Sequence, residues 1–369
     1  MKIRVGYDLV YDCPQPVPMI VMLDIQYSRA GDIIQPDHLR TDPYVPTRSY
    51  RDSFGNWCTR LVAPTGRIRL TSDQIVRDSG MPEPAFPHAR QHPIEELPDD
   101  TLLFLLSSRY CETDRLLETA WSMFGHVEGW ARVQAICDFV HQHVNFGYHR
   151  ARNTRTAWET FNERIGVCRD FAHLALTLCR CTNIPARYCT GYLGDIGVPT
   201  DPNPMDFSGW FEAYLDNQWH VFDARHNTRR IGRIMIAYGR DAADVAISNT
   251  FGPNTLTNFR VWTDQVADEG NTDMLPPVVP LYTSPNGERW QLIQDPADGR
   301  AFVRHKANQS SGGRQTDLSV DEFMQRGGSG PEFAVVRELI STKASATEAA
   351  ADLPASRAGS ASSFGSDVH

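Results

Sequence analysis

The amino-acid sequence predicts an α+β protein: a β-rich first part, then helices packed on an antiparallel sheet, then a small α/β module. Three observations indicate this. Apolar residues alternate along residues 1–90, helical periods begin near residue 98, and alternation returns between residues 210 and 223. A run of strands followed by helices and further strands is typical of the α+β class.

Residues 1–90 are predicted to form a β-sandwich. Ile3, Val5, Tyr7, Leu9 and Tyr11 alternate with polar residues, as on a strand with one buried face, and the same pattern recurs from Arg67 to Thr71. Ser53–Trp57 supplies a turn between two strands. Many short strands joined by such turns favour two packed sheets.

A core domain is expected at residues 98–268. The helical patterns cover 102–106, 115–124 and 129–144, and the third has one apolar face, formed by Val133, Ile136, Cys137 and Val140. Two strands, Trp210–Leu215 and Gln218–Asp223, flank the turn Asp216–Asn217. Helices followed by an antiparallel sheet predict an α+β domain.

The remaining segments are expected to be a linker, a module and a tail. Closely spaced prolines between Gly80 and Pro87 predict a linker, since proline disfavours both helix interiors and sheet ladders. A small module is predicted at 280–342, where Ser319 and Glu322 form a capping-box pattern. Residues 343–369 are rich in Ala and Ser and predict a disordered tail.

Composition excludes several classes of function. The chain has 36 basic and 45 acidic residues, a net charge of -9 and no basic stripe, so we expect no nucleic-acid partner. The longest apolar run, Val17–Leu23, is far shorter than the ~18 residues that span a bilayer, so no membrane partner is expected. The start of the chain shows no apolar segment of signal-peptide length. We expect a cytoplasmic protein.

The eight cysteines lack the paired spacings of a disulfide scaffold or a zinc ribbon, which also favours a reducing compartment. A metal site at Cys179, Cys181 and Cys189 is disfavoured, because helical residues two apart point in different directions. We expect neither metal nor cofactor.

Cys168 stands where a reactive thiol is expected. Phe171, Leu174, Ala175 and Leu178 recur at helical spacing, which places Cys168 in the first turn of an amphipathic helix. Unpaired backbone N–H groups and the helix dipole favour negative charge there, so that position can stabilise a thiolate or hold an oxyanion.

This region resembles the core of bacterial transglutaminase-like proteins, a family that shares a Cys-His-Asp site with papain-like proteases. The resemblance covers Gly166–Cys168 and the following helix, Ile184–Arg187, Gly191–Tyr192, and the strand pair that ends at Asp223. The first ninety residues, with the Phe54–Asn56 turn, also resemble the β-rich N-terminal domain of bacterial members.

The resemblance implies that Cys168 is the nucleophile and that Asp223 orients an imidazole. Family members usually read His-Ala-Trp-x-Glu where this chain has Ser208-Gly-Trp-Phe-Glu212, so Ser208 occupies the place of the histidine. A serine cannot act as a base at neutral pH, and the loss of one member of such a set commonly costs ~10⁴ to 10⁶ in rate.

Three other histidines are candidate substitutes. His226 follows Asp223 by three residues and is the preferred one. His220 is expected on the face of the strand opposite Asp223, and His173 lies five residues along the helix from Cys168, rotated about 140° away. A packed or surface imidazole remains the simpler interpretation for each of them.

Three functions are compatible with these residues. The first is acyl transfer, in which Cys168 attacks a carboxamide or peptide carbonyl of a protein or peptide and water or an amine resolves the thioester. The second is non-catalytic binding of a peptide or protein in the same cleft, which Ser208 favours. The third, a redox or metal role for the cysteine-rich helix, is disfavoured by its geometry. The oligomeric state stays open.

Overall fold

The computed structural model describes residues 1–201, 205–266, 278–284, 288–294, 301–307, 315–327, 333 and 336–337. The chain divides into two units, Met1–Asp268 and Glu269–His369, each described by itself below. Within the described residues, the fold is a mixed α/β structure of several sheets with helices. The predicted tail, 343–369, lies outside those residues.

The first unit holds fifteen strands within the described residues. In chain order, β1 to β8 are Lys2–Cys13, Val17–Val21, Ile33–Gln35, Arg40–Asp42, Arg48–Arg51, Trp57–Ala63, Gly66–Arg77 and Asn145–Phe146. Strands β9 to β15 are Ile165–Gly166, Ala186–Tyr192, Ser208–Leu215, Gln218–Phe222, Ile234–Gly239, Ser248–Thr250 and Thr255–Val266.

Its α-helices lie between β7 and β10. The α-helices α1 to α5 are Asp99–Leu102, Thr113–Phe124, Gly129–His143, Ala157–Glu163 and Cys168–Cys181. Short 3-10 helices are Tyr27–Asp32, Ile94–Glu96, Leu103–Leu105 and Tyr148–Arg150. The predicted apolar face of α3 is confirmed, since Val133, Ile136, Cys137 and Val140 are all buried.

Two sheets contain the strands of the β-rich part. One has the order β15-β1-β7-β3 with β4 also pairing β7, and the other has the order β14-β2-β6-β5. Strand β1 alternates as predicted, and the alternating residues Ile3, Val5, Tyr7, Leu9 and Tyr11 are buried. Strands β14 and β15, which come after the core, complete both sheets. The division of the chain near residue 90 stays a prediction from sequence.

The core sheet has the order β12-β11-β10-β13 and packs against α5. The predicted hairpin is confirmed: β11 and β12 pair antiparallel around Asp216 and Asn217, whose φ angles of 48° and 64° suit a two-residue hairpin turn. Every residue of α5 from Asp170 to Cys181 is buried, so this helix lies in the interior rather than on an amphipathic surface.

Among its described residues, the second unit contains an antiparallel sheet and the short helix α6. Strands β16 to β19, Val278–Thr283, Arg289–Gln294, Ala301–Lys306 and Gln315–Ser319, pair in that order. Helix α6 is Val320–Gln325, and its predicted capping box is confirmed: the Ser319 hydroxyl accepts from the Glu322 N–H while the Glu322 carboxylate accepts from the Ser319 N–H. No helix in the described part of the chain is long and apolar enough to cross a membrane.

Candidate active site

Cys168 is the first residue of α5, and the helix start is fixed by Asp170. The Asp170 carboxylate accepts a hydrogen bond from the Val167 N–H at 3.0 Å. It also forms an ion pair with Arg155 at 3.1 Å. Gly166 makes this possible, because a Cβ there would lie 2.6 Å from the Asp170 Cβ. The predicted position of Cys168 in the first helical turn is confirmed.

Strand β11 approaches the start of α5 closely at Gly209. A Cβ at Gly209 would lie 2.4 Å from the Tyr188 hydroxyl oxygen and 3.4 Å from the Arg169 Cα. Only a residue without a side chain fits there, and the Gly209 backbone N–H consequently acts on the Cys168 sulfur. Ser208, the residue before it, is therefore brought to the same place as the thiol.

Cys168 opens into a cavity of about 290 Å³. Cys168 is partly exposed as a residue, whereas the other seven cysteines are buried. Ser208 and His226 line the same cavity, and Thr263 on β15 contributes another wall, so the β-rich part of the unit helps to enclose the site.

Asp223 and His226 form a hydrogen-bonded pair beside this cavity. The Asp223 Oδ2 lies 2.8 Å from His226 Nδ1, and its Oδ1 accepts from the backbone N–H groups of Arg225 and His226 at 3.0 and 3.1 Å. Burial acts to raise the pKa of Asp223, but Arg233 and His226 outweigh it and hold this pKa well below its usual range. An ionised carboxylate only accepts, so His226 Nδ1 carries a proton, and in the neutral ring Nε2 is then the acceptor.

The Cys168 thiol is held in its neutral form in this structure. Burial raises its pKa to about 11, and the negative charges of Asp206 and Asp223 act in the same direction. The Gly209 N–H and the Arg225 guanidinium oppose the rise without cancelling it. At pH 7 such a thiol is only ~10⁻⁴ ionised, so a base must take its proton during any reaction.

Three polar atoms of the cavity residues are buried without a hydrogen-bond partner in the described part of the chain. They are Ser208 Oγ, Thr263 Oγ1 and Arg230 Nε. An unpaired buried polar group costs about 1 to 3 kcal/mol, so a hydrogen bond to any of these atoms would be favourable. They are candidate partners for a polar group of a ligand.

The two other candidate histidines lie elsewhere. His220 is buried, with its Nε2 3.1 Å from the Leu215 carbonyl oxygen and its ring against Trp130. His173 is buried on α5 and accepts from the Ala242 N–H at 3.1 Å. Neither lines the cavity. Of the histidines considered from sequence, the structure brings only His226 together with Cys168 and Asp223.

Sequence reasoning missed Glu83 and Arg233, which extend the Asp223–His226 pair. Arg233 contacts Asp223 at 3.0 Å and also pairs with Glu83. No local pattern marks such partners, because Glu83 lies in the proline-rich segment 150 residues before Arg233. The feature that distinguishes Arg233 is its burial, and burial is not visible in the sequence.

No group of metal-ligating side chains is arranged to hold an ion in the described part of the chain. Cys179 and Cys181 are both buried on α5, and burial raises the pKa of Cys181 to about 12.

Arg187, given no catalytic role from sequence, pairs with Glu212 at 2.6 Å and stacks on Trp219.

Comparison with known proteins places this arrangement in a family. The transglutaminase-like superfamily model matches residues 125–224, a span that includes Cys168, Ser208 and Asp223. The crystal structure of a "Putative Cysteine Protease" from Cytophaga hutchinsonii is 31% identical, covers 75% of this chain and 93% of its own, and superposes with a TM-score of 0.62. The chain belongs to the transglutaminase-like superfamily.

Two further likenesses are weaker. This transglutaminase-like chain is 33% identical over 87 residues to an uncharacterized protein of Mycobacterium leprae, a match that spans 22% of the chain and only 30% of that relative's length. The periplasmic domain of TgpA from Pseudomonas aeruginosa is 14% identical over 60% of this chain, with a TM-score of 0.31. A likeness at that level carries no argument about function.

Proposed function

We propose that this transglutaminase-like protein is a thiol-dependent acyltransferase, with Cys168 as nucleophile, His226 as its base and Asp223 as the carboxylate that orients His226. One observation supports this most: Asp223 holds His226 Nδ1 at 2.8 Å, and His226 and Cys168 line the same cavity. The arrangement supplies an oriented imidazole despite Ser208.

The chemistry proceeds in two steps. The Cys168 sulfur attacks the carbonyl carbon of a carboxamide or peptide while its proton moves to His226 Nε2, and the same proton then leaves on the departing ammonia or amine. Water or an amine then attacks the thioester: His226 accepts the proton of that nucleophile and returns it to the Cys168 sulfur as the carbon–sulfur bond breaks. The Gly209 N–H, which already acts on the sulfur, is the available donor for the oxyanion.

A protein or peptide is the proposed substrate, since the cavity takes a polar group and the family fold is that of amide chemistry. Eight free cysteines support a reducing, cytoplasmic setting. We further propose that the two sheets built from β1–β7, β14 and β15 pack as a sandwich, and that the second unit is an accessory module.

The test measures acylation of Cys168 by p-nitrophenyl acetate, with the mass of the intact protein as readout. We expect one acetyl group per chain, lost in Cys168→Ala, and a rate at least ~10-fold lower in His226→Asn. His88→Asn, an exposed histidine outside the cavity, is the matched control. Equal rates in the native protein and His226→Asn would remove His226 from the mechanism.

A second function is favoured by a specific observation. The family resemblance puts Ser208 at the histidine position, its hydroxyl has no hydrogen-bond partner within the described residues, and the pKa of Cys168 is raised to about 11, as suits a cleft that binds peptides without reacting. If no acyl-enzyme forms, titration with carboxamide-bearing peptides decides this alternative. Saturable binding that Ser208→Ala weakens would support it.

A further inference from the structure

The segment between the β-rich part and the helices carries a charged side chain that contacts a partner of Asp223. Glu83 is held by its backbone and its side chain: its N–H donates to the Arg230 carbonyl oxygen at 3.0 Å, and its Oε2 accepts from the Arg230 N–H at 3.2 Å. Its other carboxylate oxygen accepts from Arg233 Nε. Glu83 is thus attached to the chain that forms a wall of the cavity.

Arg233 connects this carboxylate to Asp223. Its side chain is only 5% exposed, its second guanidinium nitrogen donates to Asp223 Oδ2 at 3.0 Å, and its guanidinium lies 4.7 Å from the centre of the Trp210 ring. Burial acts against the charge on Arg233, but Asp223 and Glu83 outweigh it and raise its pKa. The cation is therefore retained in the interior.

The same oxygen of Asp223 serves both partners. Oδ2 accepts from His226 Nδ1 at 2.8 Å and from Arg233 at 3.0 Å, so Arg233 fixes where the imidazole is held and adds a positive charge behind it. Four side chains alternate in charge type along this contact series: Glu83, Arg233, Asp223 and His226. Asp223 alone, balanced only by His226, would stabilise the imidazolium more strongly.

We infer that Glu83 and Arg233 are positioning residues of this active site, which hold Asp223 and tune the protonation of His226, so that the linker is part of the catalytic apparatus. This inference rests on the proposed function insofar as His226 is the base. The contacts that carry it, however, are those of the resting protein. Its test can therefore be read from His226 without any substrate.

Other charged groups also face His226 and stay constant in the test. The carboxylates on the cavity walls are Asp195, Asp201, Asp206 and Asp264. The remaining titratable or charged neighbours are Cys168, Tyr148, Arg225 and Arg230. Because these groups are unchanged in each variant, a difference in the titration midpoint of His226 between variants reports the effect of the Glu83–Arg233 pair.

The experiment follows the ring protons of His226 by NMR across pH in the full chain. Glu83→Gln removes a negative charge and is expected to move the midpoint of His226 titration to lower pH by about 0.5 to 1 unit. Arg233→Met removes the positive charge and is expected to move it to higher pH by a similar amount. The double variant is expected to lie between the two.

Opposite shifts are the signature of an electrostatic role, since simple loosening of the structure would move both variants the same way or neither. Arg233→Lys, which keeps the charge, is expected to restore most of the midpoint and guards against a misfolded Arg233→Met. Glu212→Gln and Arg187→Met change a similar pair on the same sheet that makes no hydrogen bond to Asp223 within the described residues. Shifts of equal sign, or control shifts of equal size, would overturn the inference.

The same variants separate this inference from the proposed function. If the midpoints shift oppositely while no acyl-enzyme forms, the positioning pair stands and acyl transfer fails. If acylation occurs and depends on His226 while the midpoints stay in place, acyl transfer stands and the positioning role fails.

Discussion

The guanidinium of Arg155 lies 3.1 Å from the carboxylate of Asp170, and both side chains are almost completely removed from water, at 4% and 0% exposure. This ion pair is located directly beneath the nucleophile, because the same carboxylate caps the helix at Val167. The geometry of Cys168 therefore depends on a charge pair that does not itself line the cavity.

Breaking this pair is expected to destabilise the protein strongly. Arg155→Met leaves the Asp170 carboxylate buried beside fewer cations, and we expect a loss of about 3 kcal/mol in the free energy of unfolding. Urea denaturation followed by circular dichroism measures it. Arg4→Met, which breaks an exposed pair with Asp73, is the control and should cost less than about 1 kcal/mol. Equal losses in the two variants would contradict the assignment.

Cys168 is expected to react selectively but slowly with iodoacetamide. It is the one partly exposed cysteine among the eight, all of which lie in described segments, so native protein should take up one label first. With a pKa of about 11, its thiolate fraction at pH 7 is ~10²-fold below that of a free cysteine. The labelling rate should therefore rise almost tenfold per pH unit up to about pH 10.

The control for this labelling is Asp206→Asn. Removal of a negative charge that raises the pKa of Cys168 should increase the rate at neutral pH. Mass spectrometry of the intact protein follows labelling of the native protein and of Asp206→Asn. A rate that reaches its plateau below pH 8 in the native protein would show that the thiolate is already formed at rest.

Ser208→His is expected to increase acylation of Cys168. The new imidazole would stand on β11 next to Gly209, whose N–H acts on the sulfur, and would supply a second base at the unpartnered hydroxyl position. We expect at least a ~10-fold higher rate with p-nitrophenyl acetate. Ser208→Asn, of nearly the same size but without basicity, should give no increase, which separates proton transfer from a change of packing.

Asp223 is expected to make folding stability depend on acid pH. Its pKa is lowered in the folded state, so its contribution is fully present above the unfolded value of ~3.9 and is lost as pH falls towards the folded value. The difference in unfolding free energy between the native protein and Asp223→Asn should shrink below about pH 4. Urea titrations between about pH 3 and pH 7 measure it. Asp12→Asn is the control: the exposed pair with Arg67 also lowers the pKa of Asp12, but water screens that pair, so the trend should have the same sign and be much smaller.

Local sequence patterns predicted the strands and helices that have one buried apolar face, and the turn between two of the strands. The alternation of β1, the apolar face of α3 and the turn at Asp216–Asn217 each follow from residues within a few positions of each other. The helix that starts at Cys168 was equally visible. These features depend on periodicity and turn chemistry, which a single sequence displays directly.

Long-range pairings left no such signal. Strand β15 is mostly exposed from Thr255 to Arg260, so it lacks the alternation that reveals a half-buried strand. The contributions of Thr263 to the cavity and of Glu83 to Arg233 arise only when distant segments meet. The sequence named Cys168, Asp223, Ser208 and His226, but not the residues that hold or enclose them.

The pairing of β1 with β15 has a consequence for synthesis of the chain. Lys2 is matched to Val266 and Asp12 to Thr255, so one side of the first strand stays open until more than 250 residues have left the ribosome. Closing so long a loop costs conformational entropy and is therefore slow. Until it closes, the unpaired edge of an apolar strand can pair with the wrong segment or another chain. A nascent chain arrested before residue 255 should therefore bind a holdase chaperone, whereas one released after residue 268 should not.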